Sequence, residues 1–368
     1  MKILIPVLGF GNFGGFRVLS KLADELIKLG HCVKFLTPDT SKEPYFPTSA
    51  TILWADKNGN LKNSKSDLKV KKATAFSNQM QLTRAFLKLD PDSYDIIIAN
   101  HSLTTIPIRI AGLAHKTLYY VQGYETDFYN LGGGFKNKIL GILSASSYKM
   151  NLFTVVNADV YLKFKRLKAS RVLYPGVDFD DFFPQELHKR KQDEIIIGTI
   201  GRPDPQKGTH YVLKAFIELK KKYPGIKLHV AFGNATEFSE YDDVYCFHPH
   251  GDKALGEYYR SLDFYFCGAF SQLGAFHYPV AEAMSCGVSL VTTHYYPANN
   301  NNAWLVRPKN IEDIIKKFEI AYENIDLRKK KIQQALIDVQ QFDWQLVGQK
   351  LNLYIKELSE AVLNRKRF

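Results

Sequence analysis

The sequence predicts an α/β protein made of two doubly wound, Rossmann-like parallel-sheet domains in tandem. Apolar strand-like runs alternate with amphipathic helical stretches from the first residues onward, the pattern of βαβ units and a parallel sheet. The alternation stops at a polar, charged connector, Phe179 to Asp193, and starts again at Glu194. From Ile311 the chain reads as helix to its end. At 368 residues there is length for two domains of ordinary size, placed at 1–178 and 179–345, with a final helix over 346–368.

The elements follow in order. Lys2 to Val7 is a strand, and Arg17 to Gly30 is an amphipathic helix closed by a glycine. Cys32–Thr37 is the next strand and completes a first βαβ unit. Ala50–Trp54, Tyr94–Asn100, Thr117–Gln122 and Leu152–Asn157 read as further strands, with helices near Phe76–Leu89 and Thr104–Gly112. Arg171 to Asp178 closes the first domain. In the second, Glu194–Gly201, Ile226–Gly233, Val244–His248, Asp263–Ala269 and Val288–Thr293 are strands. Gly208–Lys222 is a helix stopped by Pro224-Gly225, and a short helix opened by Pro279 ends at Gly287.

Composition narrows the class. Apolar residues make up 45% and aromatics 13%, which suits a packed globular protein. No apolar run approaches the roughly 20 residues of a transmembrane helix, and the first strand runs into a glycine-rich turn rather than a secretory signal. Cys32, Cys246, Cys267 and Cys286 lack metal-type spacing and read as reduced thiols, so a cytoplasmic protein is expected. Residues 1–180 hold 24 Lys/Arg against 14 Asp/Glu, whereas 181–368 hold 25 against 23, so the net charge of +12 lies mostly in the first half. Such a field suits an anionic partner: a membrane surface, a pyrophosphate-bearing lipid, an acidic glycan or nucleic acid. Clusters at Lys62–Lys72 and Lys163–Arg171 carry much of it, and either alone is also what a solvated surface looks like.

Three stretches carry chemistry. Gly9-Phe-Gly11-Asn-Phe-Gly14-Gly15 spells G-x-G-x-x-G between strand and helix, with Asp39 near the end of the second strand. That is the form of a dinucleotide fingerprint, but its physics is only that glycines bring backbone N–H groups close to an anion at a helix start. Gly201-Arg202 followed by Lys207-Gly208 sets two cations at the next strand-to-helix junction, as phosphate ligands or as solvent-facing loop charges. Glu282 stands near the start of the helix opened by Pro279, beside the carboxyl end of a parallel sheet. There it either complements the helix dipole or accepts hydrogen bonds from the vicinal hydroxyls of a ribose.

The ordered set of motifs resembles the retaining GT-B glycosyltransferases of glycosyltransferase family 4 over nearly the whole chain. Gly14-Gly15-Phe-Arg17-Val with Gly30-His31 looks like that family's N-terminal glycine loop, and Pro175-Gly-Val-Asp178 with Phe183-Pro184 like its interdomain signature. Gly201-Arg202 with Lys207-Gly208 looks like its donor-diphosphate site, and Glu282-Ala-Met-Ser-Cys-Gly287 like its ribose site. Ala303 to Pro308 and Phe342-Asp-Trp344 are similar to its tail, whose last helix crosses back to the first domain. His277-Tyr-Pro and Tyr119 to Glu125 look like bacterial surface-glycan transferases, rhamnosyltransferases among them.

The resemblance implies a hexosyl or deoxyhexosyl transfer from a UDP-, GDP- or dTDP-linked sugar to a glycan or lipid-linked acceptor, for surface polysaccharide synthesis. Under it, Arg202, Lys207 and His101 serve catalysis, and Glu282, Gly14, Gly15, Gly274, Ala275, Phe276 and His277 bind the donor. Glu125 and Asp127 meet the acceptor, and the donor lies in a cleft between the domains. The alternative for His101 is a buried structural histidine. No cofactor, metal or nucleic acid is expected; Asp90-Pro-Asp92 and Asp178-Phe-Asp180 match D-x-D formally but fall in turns. The enzyme would work in the cytoplasm, peripheral to the inner face of the cell membrane.

One departure stands out. The family carries a second glutamate upstream, with seven residues between it and the ribose one, and here Gly274 holds that place, with His277 where glycine is common. Backbone N–H groups of Gln272 to Phe276 are then expected to meet the sugar instead. Two other readings stay open: an NAD(P)-dependent oxidoreductase using Gly9–Gly14, and a non-catalytic glycan- or nucleic-acid-binding protein of the same fold.

Overall fold

The structure is a computed structural model that describes residues 1–65, 74–131, 134–185, 194–234, 238 and 240–366. Most of the Lys62–Lys72 cluster and the second half of the 179–193 connector lie outside the described residues. The chain divides into two compact units: an N-terminal unit, Met1–Gly176 with Trp344–Phe368, and a C-terminal unit, Val177–Asp343.

The N-terminal unit is an eight-stranded sheet. Its strands are β1 (Lys2–Pro6), β2 (Cys32–Pro38), β3 (Thr51–Ala55), β4 (Leu61–Lys62), β5 (Ile96–Ala99), β6 (Thr117–Val121), β7 (Phe153–Val156) and β8 (Arg171–Val172). They lie in the order β4-β3-β2-β1-β5-β6-β7-β8, all parallel except β4. β5 and β6 are buried along their whole length, as strands covered on both faces must be, which is why they read as unbroken apolar runs. The helices are α1 (Gly14–Lys28), α2 (Ala75–Lys88), α3 (Ser102–Ile110), α4 (Glu125–Leu131) and α5 (Gly134–Ser147). α1 buries Val18, Leu19, Leu22, Ala23 and Leu26, one face at helical spacing. α2 starts at a reciprocal Thr74–Ser77 capping box.

The C-terminal unit is a six-stranded, wholly parallel sheet in the order β11-β10-β9-β12-β13-β14. These strands are β9 (Ile195–Ile200), β10 (Ile226–Ala231), β11 (Val244–Phe247), β12 (Phe264–Cys267), β13 (Ser289–Thr292) and β14 (Trp304–Leu305). Helices α6 (Thr209–Lys222), α7 (Gly251–Arg260), α8 (Tyr278–Ser285), α9 (Ile311–Glu323) and α10 (Ile325–Val339) cover it. Phe264 and Phe266 of β12 meet Phe318 of α9 edge to face at the centre of the core. Gly208 enters α6 at φ +68°, and a Cβ there would lie 2.0 Å from the Gly268 carbonyl oxygen, so helix and strand approach through two glycines.

The last helix, α11 (Trp344–Lys366), belongs to the N-terminal unit and packs along α1. Asn352 hydrogen-bonds His31, Tyr354 donates to the Val172 carbonyl, and Glu357 pairs with Arg171. The crossing-back helix that the resemblance implies is thus present.

The reading of the sequence placed no helix between Gln122 and Leu152, where α4 and α5 form. α1 also begins at Gly14, three residues before the expected start.

Candidate active site

Strand order fixes where each unit can hold a ligand. In the C-terminal unit the chain runs from β9 outward through β10 to one side and from β12 outward to the other, so β9 and β12 flank a switch point. The carboxyl ends of such strands leave a crevice. A cavity of about 260 Å³ lies there, lined among others by Thr199, Arg202, Lys207, Phe276, His277 and Pro279. Arg202 follows β9, and Lys207 ends the 3₁₀ turn Pro205–Lys207 ahead of α6. Neither forms an ion pair among the described residues, although Arg202 sits 5.4 Å from the Phe232 ring.

His277 precedes α8 and completes the cavity's polar lining. Its ring stacks on Tyr295 with centroids 4.4 Å apart, and its buried Nδ1 has no hydrogen-bond partner among the described residues. Burial, then the charges of Lys207 and Arg202, hold its pKa down to about 3, so the imidazole is neutral at physiological pH. It offers one donor and one acceptor beside two fixed cations.

Part of the segment before it is taken up by the loop itself. The N–H groups of Gly274, Ala275 and His277 donate to the carbonyls of His294, Gln272 and Tyr296, which commits them to the loop's own structure. Gly274 adopts φ +86°, a left-handed conformation in which a glutamate would be strained, so the departure at this position is one of backbone as well as side chain. Phe276 and His277 line the cavity, and Gly274 and Ala275 do not. Glu282 lies on α8, 2% exposed, and accepts a hydrogen bond from Tyr259 at 3.1 Å; it too is absent from the lining. The same deep site pushes the Tyr259 hydroxyl well above its usual range, first by burial and then by Glu282.

The N-terminal unit repeats the plan. β1 and β5 flank its switch point, and a cavity of about 350 Å³ is lined by Phe13, Gly15, Asn100, His101, Gln122 and Glu125 among others. Gly15 therefore faces this cavity, and Gly14 is exposed at the start of α1, whose N-cap Phe13 supplies no side-chain hydrogen bond. His101 caps α3: its Nδ1 accepts from the Leu103 N–H at 3.0 Å. That bond assigns the proton of the neutral ring to Nε2, which lies 3.4 Å from Glu125 Oε2 and 3.4 Å from the Tyr129 hydroxyl. Glu125 opens α4 and accepts from the Ser102 N–H and hydroxyl. Burial, then Glu125, push the Tyr129 hydroxyl up to about 12. Asp127 lies one step further along α4, its pKa raised by burial, and does not line the cavity.

Asp39, which a dinucleotide reading needs for a ribose, accepts instead from the Gln81 side chain at 3.1 Å. Of the formal D-x-D matches, Asp178 gathers with Asp181 and Asp252, one carboxylate oxygen each within 4.8 Å, in the C-terminal unit.

Residues 180–337 match the family of glycosyl transferases group 1. That match spans almost all of the C-terminal unit. Over 341 residues the chain is 23% identical to an uncharacterized glycosyltransferase of Haemophilus influenzae, covering 89% of this chain and 92% of that one. Among solved structures it is similar to sucrose-phosphate synthase of Thermosynechococcus elongatus, with TM-score 0.76, 16% identity, and 98% and 100% of the two chains covered. It is also similar to Anabaena HepE, solved in complex with UDP and glucose, with TM-score 0.69, 15% identity, and coverage of 97% and 100%. The fold is GT-B, and the switch-point cavity with Arg202 and Lys207 lies within the residues that match glycosyl transferases group 1.

Proposed function

We propose that this chain is a retaining glycosyltransferase of family 4 that moves a hexosyl or deoxyhexosyl group from a nucleotide-sugar to a glycan or lipid-linked acceptor in bacterial surface polysaccharide synthesis. The observation that carries the reading is the pair of cations, Arg202 and Lys207, which form no ion pair among the described residues, at the switch-point cavity of a unit that matches glycosyl transferases group 1. A UDP-sugar is the donor class favoured, since HepE was solved with UDP and glucose. Negative charge grows on the leaving diphosphate as the bond to the anomeric carbon breaks, and fixed cations there lower the barrier most.

The acceptor oxygen forms the new bond to the anomeric carbon on the face the diphosphate leaves, and its proton passes to the departing phosphate. Arg202 and Lys207 hold that diphosphate without a metal ion. His277, neutral beside them, gives a hydrogen bond to the sugar or to a phosphate oxygen while adding no charge. Glu282 serves the nucleoside end, anchored by Tyr259. The acceptor goes to the N-terminal unit, where His101 presents Nε2–H and Glu125 holds it in that orientation; Asp127 and the open N-terminus of α1 at Gly14 and Gly15 complete the acceptor side. The basic field of that unit suits work at the anionic inner face of the cell membrane.

Arg202→Ala and Lys207→Ala test the donor assignment. Each is expected to lower turnover by about 10²-fold or more and to weaken nucleoside-diphosphate affinity, read by titration calorimetry. Full activity in both variants with every donor that the wild type uses sinks the assignment.

A further inference from the structure

α5 is built inside out. Gly141, Ser144 and Ser147, at spacings of three, form its buried face, and Ser144 hydrogen-bonds Thr126 inward. Three of its large apolar side chains point the other way, while Leu140 and Leu143 are half-buried: Phe135 is 81% exposed, Ile139 43% and Ile142 70%. These three stand at i, i+4 and i+7, one stripe along one side of the helix. A soluble helix places its polar face in water, so this arrangement leaves an apolar stripe to be covered by something other than its own core.

The charge around the stripe says what covers it. No Asp or Glu occurs from residue 128 to 158, a stretch that includes Lys136, Lys138 and Lys149. Extended to 177, it holds eight Lys/Arg and one Asp/Glu. The basic run Lys163–Arg171 is tied to the end of α5 by three stacked rings: Tyr148 on Tyr124 at 5.4 Å, and Tyr124 on Phe164 at 4.3 Å. Lys138 and Lys149 are exposed. An apolar stripe one side chain deep, set in a field of lysines, is the pattern of a helix lying in the headgroup layer of an anionic bilayer.

We infer that α5 is the membrane-docking face of this protein, with Phe135, Ile139 and Ile142 entering the acyl boundary and the neighbouring basic residues meeting anionic lipid headgroups. The inference rests on the membrane-facing part of the function proposed above and supplies its location. It does not depend on the donor chemistry.

Flotation of the purified protein with phosphatidylcholine vesicles, with and without phosphatidylglycerol, tests it. Wild type is expected to float with the anionic vesicles and to be released by salt. Phe135→Ser with Ile142→Ser is expected to cut partitioning about tenfold or more, two buried apolar side chains being lost from the lipid. Both residues are exposed, so the unfolding midpoint and the nucleoside-diphosphate affinity should stay at wild-type values. Lys138→Glu with Lys149→Glu should weaken binding to anionic vesicles several-fold. The docking face is overturned if wild type floats with neither vesicle, or if the Phe135/Ile142 variant floats as well as wild type. It is equally overturned if light scattering shows a wild-type dimer that this variant dissolves, since the stripe would then meet a second copy. Loss of donor binding in Arg202→Ala with flotation intact would separate the two readings.

Discussion

The two units set a cavity at the same topological place and fill it with opposite chemistry. At the β9/β12 switch point stand two cations that form no ion pair among the described residues and an imidazole that burial keeps neutral. At the β1/β5 switch point stand a carboxylate and an imidazole locked together, with no lysine or arginine in the lining. Topology decides where a ligand can sit, and the first residues after each strand decide its charge. The difference extends to the glycine at each helix entrance. Gly208 is packed against backbone, whereas the atoms nearest a Cβ at Gly15 are those of the Gln122 side-chain amide, the first at 3.3 Å.

That contrast gives the largest expected effect. Gly208→Ala forces a Cβ to 2.0 Å from the Gly268 carbonyl oxygen and imposes a positive φ on a residue that resists it. The loss in unfolding free energy should be about 3 kcal/mol or more, measured by urea denaturation. Gly15→Ala meets a side chain that can turn aside, and its loss should stay within about 1 kcal/mol. Equal losses would mean that the two entrances are not built differently after all.

The legible part of this molecule is the part in which local pattern and burial agree. Ile96-Ile-Ile-Ala99 reads as a buried parallel strand because it is covered on both faces. Arg202 and Lys207 are legible as a pair because strand end and helix start fix their separation in space. α5 is not legible, since part of its hydropathy is inverted: Ser144 and Ser147 are buried, and Phe135, Ile139 and Ile142 face out. Nor does a sequence say which nitrogen of His101 bears the proton, which depends on the Leu103 N–H. At Gly274 composition records a missing carboxylate but not the left-handed backbone beneath it. Glu282 shows the same limit, because its place on a helix is readable and its depth behind Tyr259 is not.

The cationic cavity has a pH signature. His277 is held down to about 3 in the folded protein against an ordinary value near 6.5. Between those values the unfolded chain binds a proton that the folded one refuses, so stability falls as pH falls through this window and is unaffected above it. The contribution approaches about 1.4 kcal/mol per pH unit at most. Comparing wild type with His277→Gln by thermal unfolding between about pH 6 and 4 isolates it: the variant should lose less stability on acidification. Parallel curves for the two proteins would show that the ring is protonated without penalty and that Lys207 and Arg202 do not reach it.

The locked pair in the N-terminal unit offers the finest test, because it separates orientation from charge. Glu125 accepts from the Ser102 N–H and hydroxyl and faces His101 Nε2. Glu125→Gln keeps one acceptor oxygen but turns an amide N–H₂ toward groups that are themselves donors, so a loss of about 1–2 kcal/mol is expected. Ser102→Ala removes one of those donors. If the carboxylate acts through this network, the double variant should lose less than the two single losses added together, by roughly 0.5–1 kcal/mol. Additive losses would place Glu125 outside the network. His101 would then owe its fixed tautomer to the Leu103 N–H alone, and the carboxylate would be left to meet the acceptor directly.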